Sequence, residues 1–294
     1  MDSCHGKVAI VTGGSRGMGR AIALRLAAEG AAVVVTGRSL TPGSHANAGS
    51  LEETVATIAA NGGRAVAVRA DLGDPGFDRG AIVQAALDHF DRPVDILVNN
   101  AAAPREFHHR FQDVPSASFH TTVEVNVWAA WDLIQRALPG MIANGGGWVV
   151  NVSSRSAAGA NGPPFGANPV GSQSLYGATK AMLDRMTRGA AMDLYDDGIA
   201  VNALAPEAAI ATENASQQLE LPEEICEPLE TFAEATLALC TCDPATLTGR
   251  VTYSLSLLVE LQRAVHTLDA SQLLPGWQPT EIDPKRLRPS YLAS

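Results

Sequence analysis

Lys7-Val-Ala-Ile-Val-Thr-Gly-Gly-Ser-Arg-Gly-Met-Gly19 is the stretch whose reading decides the fold. Its first six residues form a short apolar run without strict alternation, the pattern of a strand buried on both faces. Glycines follow at 13, 14, 17 and 19, after which Ile22, Leu26 and Ala27 recur at helical spacing and Gly30 is placed to close the helix. In such a strand, glycine turn and helix, the backbone can approach a diphosphate closely while helix amides point at it. The spacing Gly13-x-x-x-Gly17-x-Gly19 differs from Gly-x-Gly-x-x-Gly, and alone it also suits an ordinary tight turn. Its position directly after the first strand favours a dinucleotide site.

Outward from this unit, strand patterns recur at Ala32–Thr36, Ala65–Ala70, Val94–Val98, Trp148–Val152, Ile199–Leu204 and Val251–Ser254. Helical patterns separate them. Ser50 and Glu53 make a capping box and Asn61-Gly62-Gly63 closes that helix. A helix is expected from about Pro75 to Phe90, and a longer one carries Val123–Trp128 and ends at Pro139. The alternation predicts an α/β fold: a doubly wound parallel sheet in a single Rossmann-type domain over residues 1–294. Residues 207–230, rich in Glu and without clear periodicity, are expected to form a mobile lid, and the Pro-rich tail of about 268–294 to be irregular. The loop from Arg155 to Ser174 is too long for a plain connector and is expected to border a pocket. His108 and His109 have no ligand partner at a useful spacing and read as surface residues.

Acidic residues outnumber basic ones by 31 to 21, giving a formal net charge of −10, which disfavours nucleic acid and anionic membrane surfaces as partners. A small-molecule partner is expected. Cys4, Cys226, Cys240 and Cys242 show no Cys-x-x-Cys and no matching His spacing, so they read as free thiols rather than a metal site. The chain enters a strand almost at once and has no apolar run of membrane-spanning length, and the expected location is cytoplasmic.

The chemistry concentrates between Asn151 and Lys180. Tyr176 and Lys180, four residues apart, share one face of a helix. A phenol with a pKa near ~10 is a poor proton shuttle at neutral pH, but a fixed ammonium beside it favours the phenolate. Ser154, delivered from the carboxyl end of the fifth strand, can hold a substrate oxygen against that phenol. Taken alone, the pair also fits an amphipathic helix with a solvated Lys. Asn126, amid apolar residues, is either a satisfied core amide or a functional one.

Thr12-Gly13-x-x-x-Gly17-x-Gly19, Asp71, Asn99-Asn100-Ala101, Asn126, Ser154, Tyr176-x-x-x-Lys180 and Pro206 occur in the order of the short-chain dehydrogenase/reductase family, which the chain resembles over approximately residues 6 to 206. The resemblance implies a domain that binds NAD(H) or NADP(H) and transfers hydride between nicotinamide and an alcohol or ketone carbon. It further implies Tyr176 as acid/base, Lys180 on the nicotinamide ribose and beside the phenol, Ser154 on the substrate oxygen, and Asn126 in a water-linked proton relay. Cofactor contacts are implied at Gly13, Ser15, Arg16, Gly17, Met18, Gly19, Arg38, Ser39, Asp71, Leu72, Asn100, Ala101, Tyr176, Lys180 and Pro206. A homo-oligomer, tetramer or dimer, is implied too, and Trp128, Trp131, Met182 and Met186 spread apolar surface beyond one buried stripe.

Where the family has Gly, this chain has Ala102 and Glu207, and its Ser154-to-Tyr176 interval is longer than the family norm. The second strand ends in Thr36-Gly37-Arg38 without the Asp or Glu that would bind both ribose hydroxyls and repel a 2′-phosphate. Arg38 and Arg16 are placed to converge on that phosphate, which favours NADP(H) while leaving NAD(H) open. Alternatively, Arg38 stacks on adenine and Arg16 faces solvent. A lid carrying Glu207, Glu213, Glu220, Glu223, Glu224, Glu227 and Glu230 would repel anionic substrates and favour a bulky apolar alcohol or ketone, unless those carboxylates form a solvated face turned away. An isomerase or dehydratase on the same fold, or a dinucleotide-binding regulator, are the other readings.

Overall fold

The computed structural model describes residues 2–45, 47–103, 110–159, 163, 174–210, 212 and 226–277. Seven parallel strands form one sheet in the order β3-β2-β1-β4-β5-β6-β7. They are β1 (Val8–Thr12), β2 (Ala32–Gly37), β3 (Arg64–Arg69), β4 (Ile96–Asn99), β5 (Gly147–Val152), β6 (Ile199–Ala205) and β7 (Val251–Tyr253). Helices α1 (Gly17–Ala28), α2 (Leu51–Ala60), α3 (Gly80–Phe90), α4 (Ser116–Val123), α5 (Ala129–Ala143), α6 (Ser174–Asp193), α7 (Leu229–Cys240) and α8 (Ser254–Glu260) accompany the sheet. The near-continuous apolar strands are explained by two cores. One, on the α1 and α7 side, includes Val33, Val35, Ile22, Leu26 and Phe232; the other, on the α3, α5 and α6 side, includes Ile10, Val34, Ile82, Leu133 and Leu183. The winding reverses between β2 and β4 on either side of β1, which opens a crevice at their carboxyl ends, where ligands of such sheets bind.

Local chemistry explains where the elements begin and end. Ser50 Oγ accepts from the Glu53 amide at 3.2 Å and donates to the Glu53 carboxylate at 2.8 Å, so the expected cap holds α2. Two boundaries differ from expectation. Helix α3 starts at Gly80 and not near Pro75, because the Asp74 and Asp78 carboxylates accept from the amides of Gly76 and Gly80 at 2.9 Å and hold the intervening chain in turns. Pro139 does not end α5, which runs to Ala143. The carbonyl that its ring deprives of a donor belongs to Gln135, and both residues lie on the exposed face, where water can satisfy that carbonyl. Between α4 and α5 one turn, Glu124–Trp128, is π-helical, the kind of local widening that often accompanies a functional residue.

The acidic segment after β6 also departs from expectation. Glu207 and Glu227 are 2% and 4% exposed, so they are not carboxylates of a solvated lid surface. Ser256 donates to Glu207 from Oγ at 2.6 Å and from its amide at 3.3 Å, and Ser254 Oγ donates to Glu227 at 2.7 Å. The Thr231 hydroxyl adds a bond to Glu227 at 3.0 Å. Burial outweighs these donors and pushes the Glu227 carboxyl up to about 7. Ala209 and Cys226 pair in a parallel bridge, which closes the base of this segment. Helix α7 is buried on all sides from Thr231 to Cys240, and its sequence for that reason carries little amphipathic signal. Glu213, Glu220, Glu223 and Glu224, most of the Arg155-to-Ser174 loop, His108 and His109, and the tail beyond Trp277 lie outside the described residues.

Candidate active site

The carboxyl ends of β1 and β4 are locked together by short polar contacts. Thr12 Oγ1 accepts from the amides of Asn100 and Ala101, each at 2.9 Å, while Asn100 Nδ2 donates to the Thr12 carbonyl at 2.8 Å. The glycines of the turn answer to this crowding. A Cβ on Gly19 would fall 2.2 Å from the Gly13 carbonyl oxygen, and Gly13 adopts φ +69° with its open side against Asn100. The amino end of α1 is left facing the crevice, with Ser15 buried and Met18 half-buried beside it. Asp71 is exposed at the end of β3, its carboxylate turned to the Gly73 amide at 3.0 Å, and Leu72 behind it is buried. Pro206 follows β6 at the same edge of the sheet.

Arg16 does not face solvent. Its Nη2 donates to Ser39 Oγ and to the Gly49 carbonyl, both at 2.8 Å, and its Nη1 lies 3.3 Å from His45 Nδ1. These contacts hold the guanidinium against the end of β2, where Arg38 is exposed and Ser39 buried. No carboxylate stands at that strand end, which reads Thr36-Gly37-Arg38-Ser39.

The catalytic candidates meet at the end of β5. Lys180, 2% exposed, donates from Nζ to the Val152 carbonyl at 2.6 Å and stands 5.7 Å from the centre of the Tyr176 ring. Ser154 follows two residues after the end of β5, and its Oγ caps the next turn by accepting from the Ser156 amide at 3.2 Å. Asn126, in the π-helical turn, accepts at Oδ1 from the Ala103 amide at 2.8 Å and donates from Nδ2 to Thr179 Oγ1 at 3.0 Å. Its side chain is thus a satisfied core amide that ties the helix before α5 to the Tyr176 helix. A small, mostly apolar cavity lies behind Asn126 and Lys180, lined also by Thr12, Asn99, Leu72 and Leu133. One turn past Lys180, burial pushes the Asp184 carboxyl up to about 6, against the opposing pull of Ser153, Lys180 and Arg188.

Sequence reasoning placed these residues together but passed over Thr179, Asn151 and His45. Asn151 accepts from Asn99 Nδ2 and donates to Thr187 Oγ1, both at 2.9 Å, and braces the floor of the site. Its signal is a lone amide in an otherwise apolar strand, which must find partners when buried. His45 had no such signal, because its neighbour Arg16 lies 29 positions away.

The donor set suits a nicotinamide dinucleotide. The α1 amides behind Gly13–Gly19 would hold the diphosphate, Arg16 and Arg38 a ribose phosphate, and Lys180 the ribose at the reacting end. Comparisons with known proteins identify the family. The chain is 32% identical over 250 residues to the 7alpha-hydroxysteroid dehydrogenase of Escherichia coli K12, covering 82% of this chain and 88% of that protein. It is 34% identical over 232 residues to a 3-oxoacyl-[acyl-carrier-protein] reductase of Staphylococcus aureus, covering 78% and 86%. A solved structure of a blue fluorescent protein from a metagenomic library, in complex with NADPH, superposes with a TM-score of 0.71 at 32% identity and covers 85% of this chain and 97% of its own. The sequence model of the short chain dehydrogenase family matches residues 7–221, and the chain belongs to that family of NAD(P)-dependent oxidoreductases.

Proposed function

We infer that this oxidoreductase is an NADP(H)-preferring alcohol dehydrogenase or carbonyl reductase acting on a bulky, largely apolar substrate. The observation that carries the reading is the Lys180 ammonium, anchored on the Val152 carbonyl beside the Tyr176 ring, with Ser154 leaving the same strand end. When bound, the reduced nicotinamide supplies a hydride to the carbonyl carbon. Tyr176 delivers a proton to the carbonyl oxygen, and takes it back in the oxidation direction. Ser154 donates to that oxygen and fixes its distance from the phenol. Lys180 lowers the phenol's pKa through its charge. Asn126, bonded to the Ala103 amide and to Thr179, holds the helices in register beside the cavity that it lines.

The absence of an acid at the end of β2 and the positions of Arg16 and Arg38 support NADP(H). The name of the hydroxysteroid dehydrogenase relative supports a bulky apolar alcohol. The acidic-lid argument against anionic substrates is weaker than the sequence suggests, since Glu207 and Glu227 turn inward. Free cysteines support a cytoplasmic setting, and exposed apolar residues on α4 to α6 and the π-helical turn support a homo-oligomer. No helix among the described residues is long and apolar enough to cross a membrane. The test is cofactor oxidation with NADPH and with NADH over a panel of uncharged bulky ketones and one phosphorylated ketone. Faster NADPH turnover on the uncharged ketones is expected. Preference for NADH, or turnover restricted to the phosphorylated ketone, would contradict the reading.

A further inference from the structure

The loop between β2 and α2 holds a histidine whose bonding is specific. His45 Nδ1 lies 3.3 Å from Arg16 Nη1 and 3.2 Å from the Asn47 amide nitrogen. A guanidinium and a backbone amide can only donate, so Nδ1 is the acceptor and the ring hydrogen sits on Nε2. The same guanidinium reaches Ser39 and Gly49, so His45 belongs to the polar shell that fixes Arg16 at the end of β2. The charged groups acting on the ring are Arg16, from the glycine turn, and Arg38, from the strand end; desolvation and these two cations hold its pKa below the usual imidazole range. Arg16 and the imidazole thus meet beside a strand end that carries the exposed Arg38 and no carboxylate.

We propose that His45 is a third contact for the ribose 2′-phosphate of the coenzyme, and that it takes up a proton from solvent as that phosphate binds. The proposal rests on the NADP(H) reading above. A phosphate dianion offers oxygens to which Arg16 Nη1 can shift its donation. That withdraws one of the two donors on Nδ1; protonation there also turns the ring away from the Asn47 amide, and the dianion offsets the two guanidiniums that otherwise oppose a charged ring. The added proton on Nδ1 gives the ring a second donor. No covalent bond changes; one proton moves from buffer to imidazole. Coenzyme discrimination consequently strengthens as pH falls through neutrality, a property that neither arginine can confer, because guanidinium does not titrate in this range.

The experiment is titration calorimetry on the full chain with adenosine 2′,5′-bisphosphate, with 5′-ADP as reference, in two buffers of different ionisation enthalpy. Wild type is compared with His45→Gln and His45→Lys. Wild type is expected to take up ~0.5 proton or more beyond His45→Gln near pH 7, and its affinity advantage over that variant to grow ~5–10-fold between pH 8.5 and 6. The free ligand phosphate titrates near ~6 whichever protein is present, and between the arginines it is bound as the dianion in all three near pH 7, so the difference reports the imidazole. His45→Lys, with a permanent charge, should bind at least as tightly as wild type at pH 8.5 without the extra proton. Equal proton uptake in wild type and His45→Gln would overturn the role of His45 while leaving the arginines in place. Equal binding of 5′-ADP and the bisphosphate by wild type would overturn the NADP(H) reading, and the role of His45 with it.

Discussion

The Lys180 ammonium stands 5.7 Å from the centre of the Tyr176 ring and is held there by the Val152 carbonyl at 2.6 Å. Side chains four residues apart on a helix face meet readily, but here the third point, a carbonyl at the end of β5, removes the freedom a lysine ordinarily keeps. The ammonium is therefore a fixed charge beside the phenol. Replacing Lys180 with Met removes that charge and raises the phenol's pKa. In the reduction direction, the alkaline limb of the kcat/KM profile should move to higher pH, and turnover at pH 7 should fall ~10²-fold or more. A variant whose limb stays in place would show that Lys180 serves only the fold or the ribose.

Arg38 is exposed beside the anchored Arg16, so Arg38→Ala should leave the fold intact and lower kcat/KM for NADPH by ~10-fold or more, the scale of one lost charge-assisted hydrogen bond. The value for NADH should change little. Parallel kinetics with both coenzymes check this, and an unchanged ratio would remove Arg38 from coenzyme selection.

Glu227 supplies a pH dependence of stability. Its carboxyl is raised from 4.5 to about 7 by burial, so the folded chain keeps a proton that the unfolded chain has lost between these values. The resulting stabilisation is fully present below pH 4.5, declines as pH rises, and is gone above about 7. Asp184, raised to about 6, contributes in the same direction at lower pH, which leaves the interval from 6 to 7 chiefly to Glu227. Melting temperature should fall by about 1–2 °C over that interval. Glu227→Gln, neutral in both states, should flatten the fall. A steep slope retained in the variant would assign it to another group.

Trp128, Trp131, Met182 and Phe119 are each about half exposed, at 47%, 46%, 56% and 51%, on α4 to α6 and the π-helical turn. Met186, expected with them, is buried instead; we propose that the apolar surface of the other four is an association face. Light scattering at micromolar concentration should give a dimer or tetramer, and Trp131→Glu should shift the population toward monomer. A wild-type monomer would contradict this.

The sheet was legible because each strand is an apolar run closed by a turn signal, and all seven expected strands are present to within a residue or two. What escaped was set by contacts between distant residues. Pro139 continues its helix because of which face it occupies, a fact available only once Leu133 and Ala137 are seen turned to the core. Glu207 and Glu227 look like lid charges along the chain, yet Ser254 and Ser256, far along it, draw them inward. At the site, spacing put Tyr176 and Lys180 on one helix face and Ser154 at a strand end, while the roles assigned to them came from the family resemblance. Asn126 was ambiguous until Ala103 and Thr179 appeared as its partners.

The central claim is that Tyr176 carries the proton that accompanies hydride transfer, and Tyr176→Phe tests it most directly. The ring is 9% exposed and its loss of one hydroxyl preserves packing, so melting temperature and coenzyme affinity should stay close to wild type. Single-turnover oxidation of bound NADPH by a ketone that wild type reduces should slow by ~10²–10⁴-fold or more. A Phe variant that binds coenzyme and retains the wild-type rate would contradict the account.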